Sequence, residues 1–279
     1  MAFITNQVIA QAVRSGFENQ AILLQLGAVA KNVDLQGKGA GDTIKLTTFQ
    51  RISEGLQEIE KGDLITFEEL AQTAEDVKVQ QYGKGVKIYD QDVQFSVSGG
   101  SLETEATSQL TDVFARGLDT AVLNTIMASG VEPVDATAGI TSSQILANVL
   151  ATYGEAGLDA VGAILIHPVV ASQLMLSTDD NNFTRGDVAG YQATYRNEIG
   201  RLFNKIPVVM TERLASEVVG EDTVYKTIAL PKNSLLYVLG KDVNIESDRN
   251  IAEKATYYAG DIFYAMHLVK DPIVFDTKA

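Results

Sequence analysis

The sequence predicts a mixed α+β fold, in which helices and strands are interleaved along the chain. The 279 residues are 46% hydrophobic, which is enough to bury the core of one large domain or of two domains that share strands. One helical stretch, residues 101–129, keeps a single face apolar over about seven turns. Strand-like segments lie on both sides of it, and no repeat of fixed period is present.

Charge and residue content narrow the possible functions. A net charge of −14 disfavours tight binding to a phosphate backbone, although a local basic patch is compatible with an acidic total. The chain has no cysteine, which excludes disulfides, thiolate zinc sites and cysteine nucleophiles. Residues 1–16 do not resemble a secretion signal, and no apolar run approaches the ~18 residues of a membrane span. We therefore expect a protein that remains in a cytosol-like compartment without membrane contact.

The first forty residues predict a helix followed by a flexible link. Apolar side chains recur at spacings of three and four over residues 6–30, with a break near Ser15 and Gly16. Glycines at three alternate positions then predict a link over residues 34–42.

Two strand patterns follow, separated by a polar stretch. Residues 42–49 and 77–89 alternate as half-buried strands do. Residues 51–70 between them are acidic, and Glu75 adds a further acid just beyond. This arrangement predicts a projecting hairpin whose tip finds its partner on another molecule. Loop-length statistics alone favour an ordinary solvated surface loop.

The helix at residues 101–129 should be roughly 40 Å long. Glu103 and Glu105 near its start complement the helix dipole. Gly99 and Gly100 precede it, and the simplest interpretation is a hinge between the hairpin and the helix, because glycine permits a bend. Anion binding by the helix N-terminus is the alternative.

The remaining chain predicts alternating helices and strands. Thr141 and Gln144 form a capping box for a helix that Gly154 ends. A buried strand over residues 160–167 leads into Pro168 at the start of another helix. Residues 179–197 predict an exposed loop. Further strands are expected at residues 205–211, 223–230, 234–239, 243–247, 257–268 and 273–276.

Catalytic and metal-binding motifs are lacking. His167 and His267 both lie in strand patterns and are expected to be structural, and there is no G-x-S-x-G elbow. The glycines at 37–41 lack the order of a phosphate-binding loop, and residues 179–182 lack EF-hand spacing. Pairs of carboxylates that meet only in the folded chain remain open. We assign no catalytic residue, no metal and no cofactor.

The order of these parts, helical arm, long hairpin, glycine hinge, long helix and interleaved α/β segments, resembles the major capsid protein of tailed bacteriophages, the Hong Kong ninety-seven fold. Local phrases resemble that family too. They are Leu-Gly-Ala-Val at 26–29, Gly-Asp-Thr-Ile at 41–44, Tyr-Gly-Lys-Gly-Val-Lys-Ile at 82–88, Ile-Pro-Val-Val at 206–209 and the segment 241–250.

The resemblance implies a division of the chain. Residues 1–33 would be an N-terminal arm and residues 34–90 an extended loop that lies over a neighbouring subunit. Residues 91–160 would hold the spine helix and the first part of a peripheral domain. Residues 161–239 would form an axial domain, and residues 240–279 would return to the peripheral domain.

The resemblance also implies partners. The protein would assemble with copies of itself, as hexamers and pentamers, into an icosahedral or prolate shell around double-stranded DNA that it contacts weakly. A separate scaffolding protein and a portal are expected, with assembly in the host cytoplasm. The acidic tip should contact basic residues of the next subunit. The residues expected at this contact are Arg51, Glu54, Glu58, Glu60, Lys61 and Asp63.

Two other functions remain open. An encapsulin-type compartment has the same fold but packages enzymes. A soluble α/β enzyme with a carboxylate site would form only a small oligomer.

Overall fold

The structure is a computed structural model that describes residues 21–31, 41–49, 58–59, 64–65, 67–95, 102–137, 139–176, 183–185, 192–195, 197–219 and 222–278. It mixes helix and sheet, which confirms the predicted class. In chain order the elements are β1 (Val29–Lys31), β2 (Thr43–Phe49), β3 (Gln72–Lys78), β4 (Gln80–Tyr89), α1 (Asp90–Phe95), α2 (Leu102–Met127), β5 (Val134–Ala136), α3 (Ser142–Tyr153), β6 (Val161–Ile166), α4 (Pro168–Leu176), β7 (Phe183–Arg185), β8 (Glu198–Leu202), β9 (Ile206–Met210), β10 (Ser216–Val219), β11 (Asp222–Pro231), β12 (Leu235–Asn250), β13 (Ala255–Leu268) and β14 (Ile273–Lys278).

A four-stranded sheet has the order β1, β12, β13, β4. Its centre is the long antiparallel pair β12 and β13, in which Leu235 lies opposite Leu268 and Asn250 opposite Ala255. The sequence predicted two strands, at 234–239 and 243–247, where the structure has one. Irregular pairing near Lys241 allows β12 to continue through the break in its apolar pattern.

The larger sheet has eight strands in the order β5, β14, β11, β6, β9, β8, β7, with β10 also paired to β11. Strand β6 lies inside it, parallel to β9, and every residue of β6 is buried. Helix α4 packs on this sheet through Val170 and Leu174, and α3 packs through Ile145 and Val149. The continuous apolar run of β6 is the pattern that a strand covered on both faces requires.

Helix α2 joins the two sheets. Its 26 residues span about 39 Å, as the sequence predicted. Phe114, Leu118, Val122 and Ile126 project into one core together with residues of both sheets. Among the described residues, no helix combines the length and the apolar character that crossing a membrane requires.

The local start and stop signals are confirmed. The Thr141 hydroxyl accepts a hydrogen bond from the Gln144 amide, and the Gln144 side chain accepts one from the Thr141 amide. Gly154 ends α3 with a positive φ of 54°, a conformation that glycine adopts without strain. Pro168 is the first residue of α4.

Two predictions are wrong. The helix predicted for residues 6–30 does not extend over residues 21–30, which form a single 3-10 turn at Leu23–Gln25 and then β1. Pairing of β1 with β12 outweighs the local helical pattern. The loop predicted at 179–197 contains β7, which pairs with β8 and buries Phe183. Residues 1–20 and the hinge glycines Gly99 and Gly100 lie outside the described residues.

Candidate assembly interface

The predicted hairpin is formed by β2 and β3, which pair only with each other among the described strands. Thr43 lies opposite Lys78 and Phe49 opposite Gln72. The returning strand is therefore residues 72–78, and the run predicted as one strand at 77–89 is divided between the end of β3 and the whole of β4. Val79 separates β3 from β4, and β4 pairs with β13 in the four-stranded sheet. The apolar alternation changes phase between the two strands, from Val77 and Val79 at odd positions to Val86 and Ile88 at even positions.

The root of the hairpin is clamped to the four-stranded sheet. Ile44, Val77 and Val79 are buried in a cluster with β12 and β13, through Leu236, Val238 and Ala265. The amide of Gly41 donates to the Val79 carbonyl, and the amide of Val79 donates to the Asp42 carbonyl, both at 2.9 Å. An isolated two-stranded hairpin is marginally stable, so the β2–β3 hairpin depends on these root contacts. The same contacts fix the direction in which it projects.

A side-chain contact also links the hairpin to the sheet. Glu75 on β3 and His267 on β13 approach to 2.7 Å between Oε2 and Nε2. His267 therefore has a structural contact at the hairpin root. The other histidine, His167, stacks on Tyr225 with ring centroids 4.3 Å apart, and burial lowers its pKa.

The described part of the hairpin tip is apolar as well as acidic. Glu58 is exposed, whereas Arg51, Glu54, Glu60, Lys61 and Asp63 lie outside the described residues. Large apolar side chains are also open to solvent. Their exposed fractions are 51% for Ile59, 89% for Leu64, 57% for Ile65, 91% for Phe67 and 62% for Leu70. The prediction from the sequence rested on the charges of residues 51–70 alone. The apolar side chains between the acids are also visible in the sequence and indicate a binding surface.

A groove of about 780 Å³ lies between α2 and strands β3, β4 and β13. Phe114, Ala121 and Ile262 contribute apolar surface, and Gly117 lies in the middle of the helical wall. Tyr82 and Tyr264 stack beside the groove, with ring centroids 4.5 Å apart. Burial raises the pKa of Tyr264 above its ordinary value, and the neighbouring Tyr82 and Tyr237 raise it further, so this phenol stays neutral.

The lining of this groove is basic, although the protein as a whole is acidic. Lys78, Lys84 and Arg116 line it, against the single acid Asp76 in the described lining. Arg116 pairs with Asp112 on the same helix at 2.8 Å. Neither lysine has an ion-pair partner in the described part of the chain. The groove is thus an apolar surface with a cationic edge.

A buried carboxylate holds α2 to the N-terminal segment. Asp119 is 1% exposed and accepts a hydrogen bond from the Leu23 amide at 3.0 Å. Arg213, which follows β9, lies 2.5 Å from its other oxygen. Burial raises the pKa of Asp119, while the Leu23 amide and the Arg213 charge act against that rise.

A family described as phage capsid protein matches residues 72–270. Among curated protein sequences, none matches the chain at a significant level.

Solved structures resemble the fold over most of its length. The capsid of Ralstonia phage GP4 has a TM-score of 0.67 at 10% identity, covering 94% of this chain and 90% of the phage chain. The capsid of the cyanophage P-SCSP1u has a TM-score of 0.64 at 13% identity, covering 94% and 87%. An SrpI encapsulin complex from Synechococcus elongatus has a TM-score of 0.61 at 8% identity, covering 92% and 86%. At these identities, the likeness concerns the fold.

Proposed function

The chain belongs to the phage capsid protein family and is a major capsid protein of a virion, and we propose that it closes its shell by laying the β2–β3 hairpin tip on a neighbouring subunit. The family match covers residues 72–270 of 279, more than half of the chain. The role is structural, and copies of the chain assemble into a shell of capsomers.

The proposal rests on the β2–β3 hairpin, whose tip is exposed to solvent while its root is buried against the four-stranded sheet. Leu64, Phe67 and Leu70 are between 62% and 91% exposed, at the end of a hairpin whose root is buried. Removing one such side chain from water contributes about 1.5–3 kcal/mol. A subunit that holds several of them outward is therefore suited to association.

We further propose the geometry of the shell and its partners. Hexamers and pentamers would form an icosahedral or prolate head around double-stranded DNA, assembled in the host cytoplasm with a separate scaffolding protein and a portal. The net charge of −14 supports weak contact with that DNA. Nothing in the proposed role requires catalysis.

The proposed domain division follows the same scheme. Residues 1–33 form the arm, 34–90 the extended loop, and 91–160 the spine helix with the first part of the peripheral domain. Residues 161–239 form the axial domain, and 240–279 return to the peripheral domain. Strands β6–β11 within 161–239 support one unit, although β5 and β14 of the two flanking segments join the same sheet. The six charged tip residues from Arg51 to Asp63 and the hinge at Gly99 and Gly100 remain part of this proposal.

Deletion of residues 51–70, which removes Leu64, Phe67 and Leu70, tests the extended loop. The root contacts lie outside the deletion, so the subunit should stay soluble and folded but fail to form shells. Electron microscopy and far-UV circular dichroism measure the two properties. A second variant replaces the same residues by a glycine-serine segment of equal length, so that the loop keeps its length but loses its side chains. If either variant gave normal shells, the extended loop would not be the assembly element.

An encapsulin-type compartment is the second candidate, because the SrpI encapsulin complex shares the fold. The contents of purified shells separate the two functions. Nuclease-protected double-stranded DNA in shells made during infection supports the phage head, whereas a single co-purifying enzyme supports the compartment. Monodisperse monomers or dimers under all conditions would favour the soluble enzyme instead.

A further inference from the structure

We propose that His167 is an acid-sensitive cap of helix α4, which holds the first turn of the helix while its imidazole is neutral and releases that turn when the ring is protonated. The cap lies within one subunit, so it operates whether or not the subunit is assembled. It gives the eight-stranded sheet, on which α4 packs, a built-in response to pH.

His167 occupies the capping position of α4. The helix begins at Pro168, and the His167 carbonyl accepts a hydrogen bond from the Ala171 amide at 2.8 Å. The His167 side chain reaches the same turn, since its Nδ1 accepts a hydrogen bond from the Val169 amide at 3.3 Å. This contact satisfies one of the amides that a helix N-terminus leaves without a backbone acceptor.

Protonation acts on this cap in two ways. A neutral imidazole has one nitrogen that accepts a hydrogen bond, whereas both nitrogens of the imidazolium carry a proton and neither accepts. The Val169 amide then faces a donor in place of its acceptor. The positive ring also lies at the N-terminus of a helix, where the macrodipole favours negative charge. Both effects oppose the protonated form of His167 in the folded chain.

The surroundings of the ring favour the neutral form on balance. Tyr225 of β11 stacks on His167, with ring centroids 4.3 Å apart and 23° between the two planes. Burial lowers the pKa of His167, and the Glu212 carboxylate acts against that shift. The next residue, Arg213, is turned away to its ion pair with Asp119 on α2. Glu212 and the face of Tyr225 are therefore the groups that favour the cation.

Among the described residues, the other elements around the ring bring no further charge to it. Strands β6 and β9 and helix α4 contain no acidic or basic residue. Lys226 adjoins Tyr225 on β11, so it points to the opposite face of the sheet, where it pairs with Asp276 of β14. On β10, Ser216 lies opposite Tyr225, which places Glu217 on that opposite face as well.

The cap should weaken towards acid pH. Because the folded chain holds the pKa of His167 below its ordinary value of about 6.5, the cap contributes fully above that value. Its contribution falls as the pH drops further, since the unfolded chain then binds the proton more readily. The loss should appear in the first turn of α4, which includes Val170 of the core.

Hydrogen exchange of the full chain, measured by mass spectrometry, tests the cap. Exchange is compared at about pH 8 and about pH 5, which bracket the titration of histidine, after scaling for the intrinsic effect of pH on amide exchange. Peptides from the first turn of α4 should lose protection ~fivefold at the lower pH. Helix α3 is the internal control, because its cap is the Thr141 hydroxyl, which does not titrate. Equal changes in the two helices would overturn the proposal.

His167→Asn separates the cap from the general effect of acid. Asparagine is a good capping residue without a titratable group, so α4 should stay protected at both pH values in this variant. Between the same two pH values, the thermal midpoint of the wild type should fall by about 2–4 °C more than that of the variant.

His267→Asn is the matched control. It replaces the other histidine of the chain and should keep the wild-type response of α4 to acid. A folded His167→Asn variant that also kept this response would overturn His167 as the switch. If His167→Asn does not fold, the comparison of α4 with α3 in the wild type decides.

Discussion

Asp119 connects three separate segments of the chain through one carboxylate. It lies on α2, accepts from the Leu23 amide and pairs with Arg213 beyond β9. Its side chain is almost inaccessible, so water cannot replace either partner. The residue therefore secures the segment that leads from residue 21 into β1.

Asp119→Ala should lower the free energy of unfolding by about 3 kcal/mol, because it leaves the Leu23 amide and Arg213 without their acceptor. Urea denaturation of the unassembled subunit measures this change. The control is Asp112→Ala on the same helix. Asp112 is 46% exposed and pairs with Arg116, so its loss should cost less than about 0.5 kcal/mol. Equal effects of the two substitutions would contradict the role of Asp119.

At the scale of single elements, local and distant contacts contribute differently. Helix α3 is specified by its own residues, with a capping box at its start and a glycine at its end. The β2–β3 hairpin depends on its root, because a two-stranded ribbon has too little buried surface to be stable alone. The hairpin therefore projects from the subunit in a direction that its buried root fixes.

Thr141→Ala tests how far α3 depends on its cap. The substitution removes the acceptor of the Gln144 amide and should cost about 1 kcal/mol of unfolding free energy. Ser143→Ala, at an exposed position of the same first turn, should change stability by less than ~0.5 kcal/mol. Thermal unfolding followed by circular dichroism compares the two. Shell assembly should be unchanged, since α3 is not part of the β2–β3 hairpin.

At the scale of the molecule, α2 fixes the relation between the two sheets. Its core face packs with residues of both sheets, and its other face forms one wall of the groove. The helix thus contributes to the core and to the wall of the groove at once. Close approach to the four-stranded sheet depends on Gly260 of β13, which faces the Phe114 ring.

Two glycines should respond in opposite ways to the same substitution. Gly260→Ala places a Cβ 2.8 Å from Phe114, so the helix must shift and the subunit should lose about 1–3 kcal/mol of unfolding free energy. Gly117→Ala meets no neighbour and should gain up to about 1 kcal/mol through helix propensity. Urea denaturation measures both. A loss of stability in both variants would show that α2 is packed differently around Gly117.

The sequence by itself determined the elements whose signals are local. Helix α2 follows from its apolar spacing, α3 from Thr141 and Gly154, and the pair of β6 and α4 from an apolar run ending at Pro168. The order of these parts also resembles that of the capsid family.

Only the tertiary structure decided how distant segments pair and which surface they leave open. The split between β3 and β4 depends on β13, since Tyr82 pairs with Ile262 far along the chain. Strand β1 forms against β12 despite a helical pattern, and β7 forms against β8 within a polar stretch. The groove arises only where α2 lies against three strands, so no local sequence pattern predicts it. Residue spacing reports which face of an element is apolar, whereas the partner of that face is chosen by contacts between segments that the sequence separates.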